Sequence, residues 1–136
     1  MSLQHPLILY VGDAQPGQAL QDAVENAGWW VYQPTETLEA LGMYITYMPD
    51  VVVINAATQP DFTGEVYEHL RSVDARPMLV LTDDPAWNSD TLRDEGVYPL
   101  ATHTTPEQLK SIIRFVLQHH FEERQHDRSL LALAGD

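Results

Sequence analysis

Four consecutive β-branched residues, Val51-Val52-Val53-Ile54, lie between Pro49-Asp50 and Asn55 with no polar residue among them. A strand with one wet face alternates apolar with polar; an unbroken run belongs to a central strand covered on both faces. This run therefore predicts a central strand, and the strands that alternate with helical segments along the rest of the chain require a parallel α/β sheet with crossover helices on both faces.

Leu7-Ile8-Leu9-Tyr10-Val11 is a second apolar run, stopped by Gly12-Asp13. Leu20, Ala23, Val24 and Ala27 then recur at helical spacing, and Gly28 predicts the helix stop. Trp29-Trp30-Val31-Tyr32 predicts a strand, with the two tryptophans on opposite faces. Pro34-Thr35 opens a second helix whose buried face is expected to carry Leu38, Leu41 and Ile45. The turn-rich stretch 57–64 predicts a loop, followed by a helix over Glu65 to Ser72. Met78-Leu79-Val80-Leu81 predicts the fourth strand, Asn88 to Glu95 the fourth helix, and Tyr98 to Ala101 a fifth strand interrupted by Pro99.

The last helix has the clearest start. Thr105 stands at the N-cap, Pro106 at the first helical position and Gln108 completes a capping box. Leu109, Ile112, Ile113, Val116 and Leu117 form its apolar stripe, and Phe115 falls off it. These units make one (βα)5 domain over residues 1–120. Residues 121–136 follow as a helical extension or tail that carries Leu130, Leu131 and Leu133.

Composition narrows the function. The 136 residues hold 20 Asp and Glu against 7 Lys and Arg, a formal charge of −13. Only Lys110 is a lysine. Nucleic-acid and anionic-membrane surfaces need clustered cations, so no such partner is expected. The chain has no cysteine, which removes disulfides, thiolate zinc sites and thiol nucleophiles. No apolar run approaches the ~20 residues of a membrane span, and no secretory signal opens the chain, so a cytoplasmic location is expected. Nor is there a P-loop, a dinucleotide glycine fingerprint or a nucleophile elbow. His119, His120 and His126 read as solvated helix-surface histidines, because neighbours at i and i+1 cannot face one site.

In an open parallel sheet, chemistry gathers at the carboxyl ends of the strands. Those ends carry Gly12-Asp13, Asn55, Thr82-Asp83-Asp84, and the window Tyr98-Pro99-Leu100-Ala101-Thr102-His103. Their order and spacing over residues 6–120 resemble the response-regulator receiver domains of two-component signalling. Pro49 to Asn55 resembles the family's third strand, Pro60 and Gly64 its following loop, and Leu79-Val80-Leu81-Thr82 its fourth strand. The resemblance implies a flavodoxin-like, doubly wound parallel sheet of strand order 2-1-3-4-5. It also implies a phosphate site: two acids after strand one that hold Mg2+, an aspartate acceptor after strand three, a hydroxyl after strand four and a lysine after strand five.

This sequence departs from that pattern. One acid, Asp13, remains after strand one; the acceptor position is Asn55; and the strand-five window has no lysine. A carboxamide is a poor nucleophile and carries no charge for a metal. Asp13 and Thr82 are thus residual phosphate- or metal-site positions, and the resemblance implies a degenerate pseudo-receiver without a catalytic residue. The plainer alternative for Asn55 is a polar strand-end residue holding a turn, and for Thr82 a hydroxyl bonding local backbone. Asp61, Asp83 and Asp84 are candidates for an acidic crevice with Asp13, or for solvated loop carboxylates.

The expected function is a signalling domain that acts by protein–protein contact, with a histidine kinase or an output domain as partner. No cofactor is expected, Mg2+ at Asp13 being disfavoured. A homodimer through helix four, strand five and the last helix would use Tyr98 and Phe115. Two alternatives remain open. One is an atypical receiver phosphorylated on another acid, such as Asp61, with Mg2+. The other is a dimerisation module of a truncated multidomain regulator.

Overall fold

A computed structural model describes residues 5–71, 77–87, 92 and 95–119. Five parallel strands form one sheet in the order β2-β1-β3-β4-β5. They are β1 (Leu7–Val11), β2 (Trp30–Tyr32), β3 (Val51–Asn55), β4 (Met78–Leu81) and β5 (Val97–Leu100). Helices α1 (Ala14–Val24), α2 (Thr37–Tyr47) and α3 (Pro60–Leu70) connect the first four strands, and a C-terminal helix occupies residues 106–119. This is the flavodoxin-like architecture the sequence implied.

All five residues of β3 are buried, as the unbroken apolar run requires. Alternate residues of each strand feed two separate core layers. Ile8, Tyr10, Val51, Val53, Leu79 and Leu81 pack beneath α1 and the C-terminal helix, against Leu20, Val24, Leu109, Ile113 and Leu117. Leu9, Val11, Val52, Ile54, Met78 and Val80 pack against Ala40, Tyr44, Val66, Tyr67 and Leu70 of α2 and α3. At the amino end of the sheet the buried Asp50 ties β1 to β3: its carboxylate accepts from Leu7 N–H at 2.8 Å, and its own N–H donates to the Leu7 carbonyl at 2.8 Å. Pro99 sits in β5, an edge strand, where its missing N–H costs no interior ladder bond.

The capping box forms as expected: Gln108 N–H donates to Thr105 Oγ1 at 3.1 Å, and Thr105 N–H donates to Gln108 Oε1 at 2.9 Å. Trp29 is buried under the Arg114 guanidinium, while Trp30 points outward.

Three expectations are corrected. Helix α2 buries Ala40 and Tyr44, and leaves Leu38 and Ile45 exposed. The helix is apolar on both faces, so spacing alone does not select one; the small Ala40 lets the backbone approach the sheet while Tyr44 fills the space beside it. The same helix starts at Thr37, because Glu39 Oε1 accepts from Thr35 N–H at 2.7 Å and holds residues 35–36 outside it. Helix α3 starts at Pro60, five residues earlier than its apolar pattern suggested. Gln59 takes a left-handed conformation (φ 43°), and Pro60 opens the helix with its preset φ and no N–H to satisfy. Most of the expected fourth helix, the end of the third at Ser72, His120, His126 and the extension over 121–136 lie outside the described residues.

Candidate functional site

The carboxyl end of β3 lies between those of β1 and β4. Asn55 is buried there, and its Nδ2 donates to the Tyr10 hydroxyl at 3.0 Å. Tyr10 rises from β1 with its ring in the core, and burial pushes its hydroxyl pKa up; the bond from Asn55 opposes that shift and the Asp13 charge adds to it. The polar end of this tyrosine thus stands at the strand end beside Asn55.

Two glycines make room for it. A Cβ on Gly12 would lie 2.8 Å from the Asn55 Cβ, 3.0 Å from Thr58 Oγ1 and 3.1 Å from the Tyr10 hydroxyl, at a φ of 153° that L residues avoid. A Cβ on Gly17 in α1 would lie 2.8 Å from Tyr10 Cδ1 and would also strike Gln33. The space that a side chain at position 12 would occupy is filled by Asn55, Thr58 and Tyr10.

Asp13 is held by the loop after β3. Gln59 Nε2 donates to Asp13 Oδ1 at 2.6 Å, and Asp13 N–H donates to Thr58 Oγ1 at 3.1 Å. Thr58 in turn donates its N–H and its hydroxyl to the Asn55 carbonyl, each at 3.1 Å. The loops after β1 and β3 are therefore stitched together by polar bonds.

The other strand-end residues are engaged elsewhere. Thr82 continues the β4–β5 pairing through its N–H to the Leu100 carbonyl at 2.8 Å, and its hydroxyl accepts from Asp84 N–H at 3.1 Å. Asp84 accepts from Ala86 N–H at 3.0 Å and shapes the turn into residues 85–87. Asp83 accepts from both the hydroxyl and the N–H of Thr102, at 2.5 and 3.1 Å. Those bonds, hydroxyl first, lower its pKa. Asp61 is exposed in the first turn of α3. Asp13 is bonded across to Gln59 at the entry of α3 while Asp83 is bonded across to Thr102 after β5, so these two acids are engaged on different loops. Among the described residues, no group of three His, Asp or Glu is placed to share a metal ion.

Two small cavities open at this end. One, of about 230 Å3, runs between α3 and the loop after β4 and is lined by Ile54, Ala56, Thr63, Thr82 and Trp87 among others. The second, of about 260 Å3, lies between the ends of β4 and β5 and is lined by Thr82, Asp83, Asp84, Pro99, Leu100 and Ala101. Neither lining includes a lysine or arginine among the described residues. Lys110 lies inside the C-terminal helix.

Solved structures similar to this chain include chemotaxis response regulator CheY4 of Vibrio cholerae, at 19% identity and TM-score 0.66, covering 82% of this chain and 98% of that one. The Francisella response regulator 1452 receiver domain matches at 19% identity and TM-score 0.69, over 85% of this chain and 99% of that one. A two-component response regulator from Clostridium difficile matches at 18% identity and TM-score 0.69, over 84% and 97%. The chain has the receiver-domain fold. No protein-family model matches the sequence. No curated protein matches it either.

Against a receiver's phosphate site, the sequence identified Asp13, Asn55 and Thr82 at the strand ends, and the fold places them there. It missed Tyr10, Thr58, Gln59 and Thr102. Each signals only as a polar atom within or beside an apolar strand, and its partner lies up to 46 residues away. Of the two interface candidates, Tyr98 is half-buried against the core layer beneath the C-terminal helix. Phe115 is 70% exposed and stacks on His119. Among the described residues, no helix is long and apolar enough to cross a membrane.

Proposed function

We propose that this chain is a receiver-like signalling module that does not take phosphate at the strand-three position and acts by binding another protein. One observation carries the reading: Asn55, at the acceptor position, is buried and spends its amide on Tyr10, against a Gly12 whose neighbours leave no space for a second acid. Neutral carboxamide, filled acid position and a strand-five end without lysine all remove charge from the reaction. A phosphoryl group here would meet neither a nucleophile nor the cation that stabilises its oxygens.

The reading includes no cofactor. Mg2+ favours six oxygen ligands in near-octahedral array. Asp13 offers one carboxylate, and the Gln59 amide already donates to it. The protein is then not an enzyme, and its partners are a histidine kinase or an output domain. Phe115 and Tyr98 mark one face for a second copy, with Phe115 the exposed member. Light scattering tests that face: Phe115→Glu should lower the mass of a dimer, and an unchanged dimer mass removes the face from the account.

Intact-mass spectrometry after exposure to a small phosphodonor and Mg2+ tests the central reading. The wild-type chain should gain no phosphoryl adduct. An adduct on Asp61, the exposed acid at the start of α3, would replace this reading with that of an atypical phosphorylated receiver.

A further inference from the structure

Helix α2 has a second apolar face that the fold does not use. Leu38, Leu41 and Ile45 recur at spacings of three and four, the seam that lets one helix pack along another, and Met48 follows as the left-handed C-cap residue just past the helix. Leu38 is 78% exposed, Ile45 71% and Met48 61%, while Leu41 is half-buried between them. Gly42 beside the seam is open, with no atom within 4 Å of where its Cβ would be. On another side of the helix Tyr47 stacks on Tyr32 of β2 at 4.4 Å, and Tyr32 meets the exposed Trp30 edge-on at 6.4 Å, so those rings cover the sheet edge and are not part of the seam. Leu38 and Ile45, two turns apart with Leu41 between them, form a row rather than scattered single exposures.

Charge says what covers it. Residues 1–70, which build β1, β2, β3 and α1 to α3, contain nine Asp and Glu and not one Lys or Arg. Glu36 and Glu39 lie exposed at the start of the seam. A second copy presenting the same face would set acid against acid, and an anionic lipid surface would be repelled likewise. We propose that the outer face of α2 docks an amphipathic helix of another protein, whose apolar stripe is flanked by Lys and Arg. The apolar seam supplies affinity and register, and the acidic surround selects the partner and speeds its approach.

The proposal deepens the protein-binding reading and rests on it. Phosphotransfer is read by mass and docking by NMR, so either can fail alone. The experiment titrates the full 15N-labelled chain with a synthetic helical peptide that carries leucine at heptad a and d positions and lysine on both flanks. Amide shifts should gather at Leu38, Leu41 and Ile45. A peptide with glutamate flanks should bind at least tenfold more weakly. Ile45→Glu should lose at least tenfold in affinity at an unchanged melting temperature, and Leu38→Glu repeats the measurement at the other end of the seam.

Shifts elsewhere, no shifts, or equal binding of the glutamate peptide overturn the proposal. So does a dimer in sedimentation that Ile45→Glu dissociates, which puts a second copy on the face. So does movement of the α2 amides by Leu131→Glu without peptide, which puts the chain's own C-terminal segment there.

Discussion

The Asn55 carboxamide donates to the Tyr10 hydroxyl at 3.0 Å, joining the carboxyl ends of two neighbouring strands. This contact depends on two glycines, because a Cβ at either Gly12 or Gly17 would run into Tyr10. A tyrosine with its polar tip at the strand end, the Asn55 carboxamide and the side-chain-free Gly12 form one mutually adjusted arrangement.

Gly12→Asp adds a second carboxylate after β1 and should damage the protein. The new Cβ would lie 2.8 Å from the Asn55 Cβ, and the new carboxylate would sit next to Asp13. Overpacking of this kind costs about 1–3 kcal/mol. Urea denaturation should show a lower midpoint at an unchanged slope. An unchanged midpoint would mean that the space is open.

Tyr10→Phe strands the Asn55 amide without its acceptor. A buried donor left unpaired costs about 1–3 kcal/mol. The pH dependence carries a sign as well. Burial raises the Tyr10 pKa in the folded chain, so the folded state keeps that proton to higher pH than the unfolded one. Its contribution to stability is complete below the unfolded value of about 10 and is lost as pH rises through the folded value. Melting temperatures measured across that alkaline range should fall more steeply for wild type than for Tyr10→Phe. Parallel curves would contradict the assignment.

Thr102→Val should raise the Asp83 pKa. The Thr102 hydroxyl contributes most to holding it low, and the Thr102 N–H, which valine keeps, contributes next. The rise is therefore only part of the way to the ordinary carboxylate value of about 4. Because the folded value is depressed, whatever stability Asp83 supplies is present above that ordinary value and is lost as pH falls through the folded one. NMR titration of the Asp83 carboxyl carbon reads the shift directly. No change would show that the clip between the loops after β4 and β5 does not form in solution.

The sheet was legible because strands buried on both faces have a signature of their own. Val51 to Ile54 needs no partner to be recognised, and the Thr105–Gln108 box announces a helix within four residues. Helix α2 was misjudged because Leu38/Leu41/Ile45 and Ala40/Tyr44 are two apolar stripes on one helix, and only tertiary contact decides which faces the sheet. The start of α3 was misjudged because Gln59 and Pro60 read as turn residues, and the left-handed Gln59 that swings the chain into the helix leaves no mark in the sequence. At the site, Asn55 at the end of strand three was visible, but the reason position 12 has no room for a side chain was not. That reason is a contact among Gly12, Asn55, Thr58 and Tyr10, residues from two strands and a loop.

Asn55→Asp, exposed to a small phosphodonor with Mg2+ and weighed intact beside wild type, tests the central claim most directly. The substitution supplies the missing nucleophile and leaves Tyr10, Gly12 and the lysine-free strand-five end as they are. The account predicts no phosphoryl adduct on either chain. An adduct on Asn55→Asp alone would show that the rest of the site is still a working receiver, and a hydroxylamine-labile adduct on wild type would show that phosphotransfer was never lost.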